Sequence, residues 1–395
     1  MTLTHLIQTE KKEEKAYHVK GVIETALAKG DNFALWRLPN ETAQQLILAK
    51  SIQTLSQEDA LEELPEGFMI TPFNAVTRSF IPADFYFQFN KGLLLPPQSA
   101  KEADAQTWLH QQQLSSTGNL SFHIQKSKAP FSADTNSFKN LVQKGVEHIE
   151  AGTFEKVVPS RTRNIPNTFD VLEAFEKLCT RYPTAMVSLI STTEHGTWLG
   201  ATPEILVSIE GNTIFKTVAL AGTKAWHEGI DLKNVAWTQK EIEEQALVER
   251  YIISCLKKIR LREYEEQGPK TIVAGNLMHL KSTFTVDMQA TNFSQLGSTM
   301  LNLLHPTSAV CGMPKEPALD FLQQHEGYDR ELYSGYLGPV NIHRNTNLFV
   351  NLRCLQLKKE EAILYAGAGV TVDSDPQKEW EETEMKMKTL ESVIQ

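Results

Sequence analysis

Cysteine is scarce. The chain has four in 395 residues (Cys179, Cys255, Cys311, Cys354), far apart and with no Cys-x-x-Cys pair. That spacing excludes a disulfide framework or a zinc knuckle and leaves free, mostly buried thiols as the expectation. Basic charge is in deficit, with 39 Lys+Arg against 48 Asp+Glu and a net charge of −9. A nucleic-acid binder needs a basic excess to neutralise phosphates, and a membrane-surface protein needs polybasic clusters. Neither nucleic acid nor membrane is therefore expected as a partner. No run of about 18 uncharged apolar residues exists to span a bilayer. The stretch Met1 to Lys20 lacks the apolar core of a secretory leader, so a reduced, cytoplasmic protein is expected. Also missing are Gly-x-Gly-x-x-Gly after a strand, a Walker loop, His-Glu-x-x-His and Gly-x-Ser-x-Gly. The 11 histidines do not cluster at metal spacing, and no internal repeat is visible.

What is present is ordinary globular composition, 41% hydrophobic and 22% charged, in a chain long enough for a large core. The first ~125 residues alternate short strand-like runs, such as Phe33 to Trp36 and Phe85 to Phe89, with polar segments. Gln98 to Ser116 reads as a helix or linker. From Ser137 the signal is denser. Phe138 to Ala151 is an amphipathic helix stopped by Gly152, and Phe154 to Pro159 is a short apolar strand carrying Lys156. Strands follow at Ala185 to Ile190 and at Trp198 to Ile209, the latter interrupted by Thr202-Pro203-Glu204. Another runs from Thr213 to Leu220, ahead of a long helix from about Lys240 to Arg262. Two strands, Leu348 to Leu357 and Ala362 to Val372, precede a final helix capped by Ser374-Asp375-Pro376. Hairpin-like strands with helices between blocks point to the α+β class.

Several polar residues sit where a simple core would not place them. Lys156 is either an edge-strand lysine facing water or, if desolvated, a base. Glu204 is either a solvated loop acid or, if enclosed, an acid whose raised pKa lets it donate a proton. Glu244 shares a helical stripe with Val248, Tyr251 and Cys255, so its carboxylate needs a partner or a metal. Glu379, Glu382 and Lys386 share a face of the last helix, either as a surface ion pair or as part of a site. The glycines of Tyr365-Ala-Gly-Ala-Gly369 would let a ligand approach the backbone. Arg353, read as a mid-strand residue facing the same way as Phe349 and Asn351, suits a carboxylate or phosphate ligand.

Together these segments resemble the ordered motifs of the chorismate-utilising enzymes. The motifs are Lys156-Val-Val-Pro-Ser-Arg161, Thr202-Pro-Glu204, Leu220-Ala-Gly-Thr223 and Lys240-Glu-Ile-Glu-Glu244, then His305 to Gly312, Glu326 to Gly335, Tyr365 to Gly369 and Glu379-Trp-Glu-Glu382. They span roughly Ser137 to Gln395 in the right order. Within the family the chain is most similar to the isochorismate synthases. Lys156 is present where the ammonia-using members lack a lysine base, and Ala221 stands where aminodeoxychorismate synthases carry a lysine nucleophile. Gln245 departs from the usual His, and Val218-Ala219 from a more usual Pro. The salicylate synthases, which go on to eliminate pyruvate, are the alternative.

The resemblance implies a two-layer sandwich of mostly antiparallel sheets with helices outside. Residues 1–125 would supply outer strands, and residues 126–395 the chorismate-binding catalytic part. It further implies Mg²⁺, with Glu244 and Glu382 as ligands and Glu379 binding through a water. Lys156 would be the general base and Glu204 the general acid. Gly222, Thr223 and Lys386 would hold the ring carboxylate, and Arg353 with the backbone near Gly367 the enolpyruvyl carboxylate. His279 would line the pocket. No glutaminase subunit is implied, and the fate of the product, in menaquinone, siderophore or salicylate synthesis, stays open.

Overall fold

Apolar side chains at alternate positions decide the layering, because successive residues of a strand face opposite sides of a sheet. A computed structural model of the chain describes residues 17–75, 77–112, 120–125, 134–274 and 277–394. Helix α1 (Val19–Ala28) leads into β1 (Asn32–Arg37), β2 (Ala43–Ala49), β3 (Gln53–Leu55), β4 (Gly67–Thr71), β5 (Arg78–Pro82), β6 (Phe85–Asn90), β7 (Leu93–Leu94) and α2 (Ala100–His110). Next come α3 (Thr135–Glu150), β8 (Lys156–Val157), β9 (Ser160–Pro166), α4 (Val171–Arg181), β10 (Met186–Thr192), β11 (Gly196–Thr202), β12 (Ile205–Glu210), β13 (Ile214–Ala225) and α5 (Gln239–Lys258). The remainder is β14 (Glu265–Ala274), β15 (Leu277–Asp287), α6 (Leu296–Leu304), β16 (Gly312–Met313), α7 (Lys315–His325), β17 (Tyr336–Val340), β18 (Thr346–Val350), β19 (Cys354–Leu357), β20 (Glu361–Gly367) and α8 (Pro376–Ile394).

These strands form two nine-stranded sheets and one two-stranded ribbon, all paired antiparallel among the described residues. The first sheet runs β7-β6-β2-β1-β10-β11-β19-β20-β9, and the second β14-β15-β13-β12-β18-β17-β4-β5-β3. Strand β1 shows why they stack. Phe33 and Leu35 pack with α1 and α4 on the outer face, while Ala34 and Trp36 enter the core between the sheets. In β18, likewise, Leu348 and Val350 face the outer helices and Phe349 faces the other sheet. The fold is thus α+β, two large antiparallel sheets with helices packed outside, as the sequence led us to expect. Strands β1 to β7 fall on one side of each sheet.

Local chemistry fixes the helices that matter for the site. Thr238 and Glu241 close a capping box at the start of α5. Asp375 accepts from the amides of Gln377 and Lys378 at 2.9 and 3.0 Å, and Pro376 occupies the first turn of α8. Such a cap is worth about 1 kcal/mol and sets the phase of every later residue on the helix. The segment read as Gln98 to Ser116 is helical at Ala100–His110, and residues 113–116 lie outside the described residues. All four cysteines are free; Cys255, Cys311 and Cys354 are buried. Among the described residues no helix is long and apolar enough to cross a membrane.

The expected strand from Leu348 to Leu357 does not exist as one piece. It breaks after Val350, and the chain passes from the second sheet, through Asn351-Leu352-Arg353, into β19 of the first. Arg353 has a φ of +47°, a left-handed conformation outside any strand. A period of two cannot reveal this, because the apolar residues on either side of the break keep alternating. A second crossing lies beside it. Thr202 ends β11 in the first sheet and Ile205 begins β12 in the second, with Pro203-Glu204 between.

Candidate active site

The two crossings, together with the ends of β13 and β20 and one face each of α5 and α8, enclose a pocket of about 730 Å³, its open mouth included. Glu204, Gly222, Thr223, Glu244, Arg353, Gly367, Glu382 and Lys386 line it. Eight of the residues singled out in the sequence therefore share one cavity, although they come from six segments. Lys156 and Glu379 lie behind the wall, each bonded to a charged neighbour.

Lys156 opens β8, which pairs with β16 across Met313, and its side chain is 0% exposed. The reading of an edge lysine facing water is thus wrong, because β8 is itself buried, with Val157 also 0% exposed and bridged to Val370 on its other side. Its Nζ donates to Glu244 Oε1 at 2.9 Å. Burial pushes the Glu244 carboxyl up, but the ammonium of Lys156, joined by Lys386 and Lys240, outweighs it and leaves Glu244 below the usual range. Gly369 lies against this pair. A Cβ there would stand 2.8 Å from Glu244 Oε1 and 3.2 Å from Lys156 Cε.

Glu204 is 8% exposed. Burial pushes its carboxyl up to about 7, against the pull of Lys156, Lys386 and Arg353. It is therefore an acid that still holds a proton near neutral pH, as a proton donor must. Arg353 faces the same cavity. No carboxylate among the described residues pairs with it, although Glu382 and Glu204 both contribute to its field. A guanidinium without a partner in a pocket favours an anionic ligand.

On α8, Lys386 Nζ donates to Glu382 Oε1 and to the Gly367 carbonyl, both at 2.7 Å. This is a half-buried brace at the pocket wall, not a surface pair. Glu379, 1% exposed, accepts from Lys240 on α5 at 2.7 Å. Burial and then the neighbouring charge of Glu382 push its carboxyl up. Gly222 has a φ of +67° at a point where β13 slips register against β15, and its carbonyl accepts from His279 Nδ1 at 2.7 Å. His279 is 5% exposed, and burial holds it down at about 3, so it stays neutral.

Sequence reasoning assigned no role to the aromatic wall. Tyr333 and Tyr365 both line the pocket, stacked with centroids 5.3 Å apart, and Trp198 stacks behind Tyr365. Both tyrosines lie inside motifs already quoted, so their position there was the available signal. Val158, Ala309 and Val310 complete the apolar part.

Whether the acidic residues suit a divalent cation can be tested on the structure itself. Three carboxylates, Glu244, Glu379 and Glu382, gather on α5 and α8, and oxygen donors of this kind suit Mg²⁺. Glu379 Oε2 is buried without a hydrogen-bond partner, and Glu379 and Glu382 repel one another. Among the described residues no three ligating side chains converge on one point, and each carboxylate is paired with a lysine. The donor set fits in chemistry and in charge, with lysine ammonium groups as the present counter-ions.

Comparisons with known proteins identify the family. The family model for chorismate-binding enzymes matches residues 8–395. An isochorismate synthase of Escherichia coli (strain K12) is 28% identical over 268 residues, covering 66% of this chain and 68% of the relative. Another, of Bacillus subtilis (strain 168), is 26% identical over 316 residues, or 77% of each chain. In three dimensions the chain resembles the menaquinone-specific isochorismate synthase from Escherichia coli with a TM-score of 0.74 at 21% identity, over 95% of this chain and 91% of that one. The chain therefore belongs to the family of chorismate-binding enzymes and is isochorismate synthase-like within it.

Proposed function

We propose that the chain is an isochorismate synthase, an isomerase that adds water at C2 of chorismate while the C4 hydroxyl leaves and the ring double bonds shift. The observation that carries this reading is Glu204, a buried acid poised near pH 7 on the wall of a pocket that also presents Arg353 and Lys386. Chorismate is a dianion, and two separated cationic groups suit its two carboxylates. Lys386 and the backbone of Gly222 and Thr223 hold the ring carboxylate, while Arg353 and the backbone at Gly367 hold the enolpyruvyl carboxylate. Glu204 gives its proton to the departing C4 hydroxyl, and Lys156, which acts in its neutral amine form after its ammonium proton has been lost, takes one from the incoming water. Tyr333 and Tyr365 exclude bulk water from the ring. Glu244 and Glu382, with Glu379 behind them, would hold Mg²⁺, which when bound neutralises carboxylate charge and orients the substrate. The relatives named above as isochorismate synthases support the same activity.

The test uses the purified chain alone with chorismate and Mg²⁺, with products resolved chromatographically beside a coupled pyruvate assay. Isochorismate without pyruvate is expected, and no ammonia-supplying glutaminase subunit is needed. Stoichiometric pyruvate would replace this reading with a salicylate synthase, and no turnover by the chain alone would refute it.

A further inference from the structure

Arg161 belongs to a quoted motif, yet the reaction above gives it nothing to do. It sits on β9 with 1% of its surface exposed, although an arginine is almost never fully buried unless paired. Its guanidinium lies over the Trp380 ring, 3.7 Å from the centroid. Nε donates to Thr383 Oγ1 at 2.7 Å, and Nη2 pairs with Glu384. Thr383 Oγ1 in turn donates to the Trp380 carbonyl at 2.7 Å, tying the same helical turn together. One planar group thus holds Trp380, Thr383 and Glu384, which lie next to Glu379 and Glu382 in the chain. On the strand side, Arg161 is the cross-strand partner of Ala366, and Ser160 that of Gly367. Gly367 is the residue whose carbonyl accepts from Lys386. The contacts close a circuit from β9 to β20, through Lys386 into α8, and back through Thr383 to Arg161.

We propose that Arg161 is a positioning residue that fixes the height and phase of α8 over β9 and β20, and thereby delivers Glu379 and Glu382 to the cation site. This rests on the metal-dependent reading above. The argument is geometric. Side chains at successive helical positions differ by 100° in direction and 1.5 Å in height, so a small slip of α8 turns both carboxylates away from α5. Arginine suits the task because its flat fork can stack on an indole and donate along its edge together, which an ammonium cannot do.

The experiment measures Mn²⁺ binding to the metal-free chain directly, by counting free Mn²⁺ with electron paramagnetic resonance, alongside thermal unfolding. Arg161→Met and Arg161→Lys are each expected to bind Mn²⁺ about tenfold more weakly than wild type, the scale of an outer-shell loss. Arg163→Gln removes the neighbouring pairs to Glu384 and Glu391 without touching Trp380 or Thr383, and should bind as wild type does. A role in stability alone would lower the melting temperature and leave Mn²⁺ affinity intact, which overturns the inference. Restoration of full affinity by lysine would also overturn it, by reducing the role to charge. If Arg161→Met does not fold, Thr383→Val keeps the volume and removes the Nε acceptor; weaker Mn²⁺ binding supports the proposal and unchanged binding overturns it. A wild-type chain that binds no divalent cation would sink this inference together with the reading it rests on, whereas equal binding by wild type and variants sinks the inference alone.

Discussion

Glu204→Gln should make the protein inactive and, above neutral pH, more stable. In the unfolded chain this carboxyl ionises near 4.5, whereas in the fold burial holds its proton until about pH 7. Below pH 4.5 both states are protonated and the group adds no pH dependence. Between the two values the folded state binds more protons than the unfolded one, so stability falls as pH rises. Above about pH 7 the loss is complete. At ~1.4 kcal/mol per pH unit it amounts to roughly 3 kcal/mol. Glutamine keeps the size and removes the titration. Urea unfolding of wild type and variant at pH 5 and pH 8 isolates the group from titrations elsewhere in the chain, which cancel in the difference. The variant should gain roughly 3 kcal/mol over wild type at pH 8 and only a small part of that at pH 5. In the same pair, wild-type kcat/KM should decline as pH rises through about 7 and the variant should show a low, flat profile. A variant no more stable than wild type at pH 8 would refute the claim that burial, and not a local partner, sets this acid.

Lys156→Gln should lower turnover by at least about a hundredfold, the lower range for a lost general base, with the fold retained by circular dichroism; near-normal rates would remove Lys156 from the chemistry. Gly369→Ala inserts a methyl 2.8 Å from Glu244 Oε1 and should cost about a hundredfold in kcat/KM through displaced groups, with little loss of stability because only flexible side-chain ends must move. Unchanged kinetics would show that the contact is slack. His279, held near 3 by burial and the Arg353 charge, should stay neutral from pH 5 to 9 in a histidine-labelled magnetic resonance titration. An inflection near 6.5 assigned to that ring would contradict its buried environment.

Residues that act through local chemistry were legible in the sequence. The capping Asp375 and Pro376, the apolar stripe bearing Glu244, and the interruption at Thr202-Pro203-Glu204 all depend on neighbours a few positions away, and each stands where the pattern put it. Relations between distant segments were not. Nothing near Arg353 signals that the chain changes sheets there, so periodicity made it a strand residue. Nothing near Lys156 shows that its two-residue strand will be buried. The pairing of Glu379 with Lys240 joins helices 139 positions apart, and only the tertiary fold sets it. Motif order supplied the association of these segments that local patterns could not.

Glu204 and Arg353 stand on two of the short spans by which the chain steps from one sheet to the other. Those spans are also mechanical ties between the layers. An opening that parts the sheets at the pocket must stretch Pro203-Glu204 and Asn351-Leu352-Arg353, while Lys50 to Ile52 and Ala83-Asp84 tie the layers elsewhere. Catalytic competence is therefore a gauge of interlayer cohesion. In a denaturant series activity should vanish when the layers first separate, while much of the strand signal in circular dichroism persists.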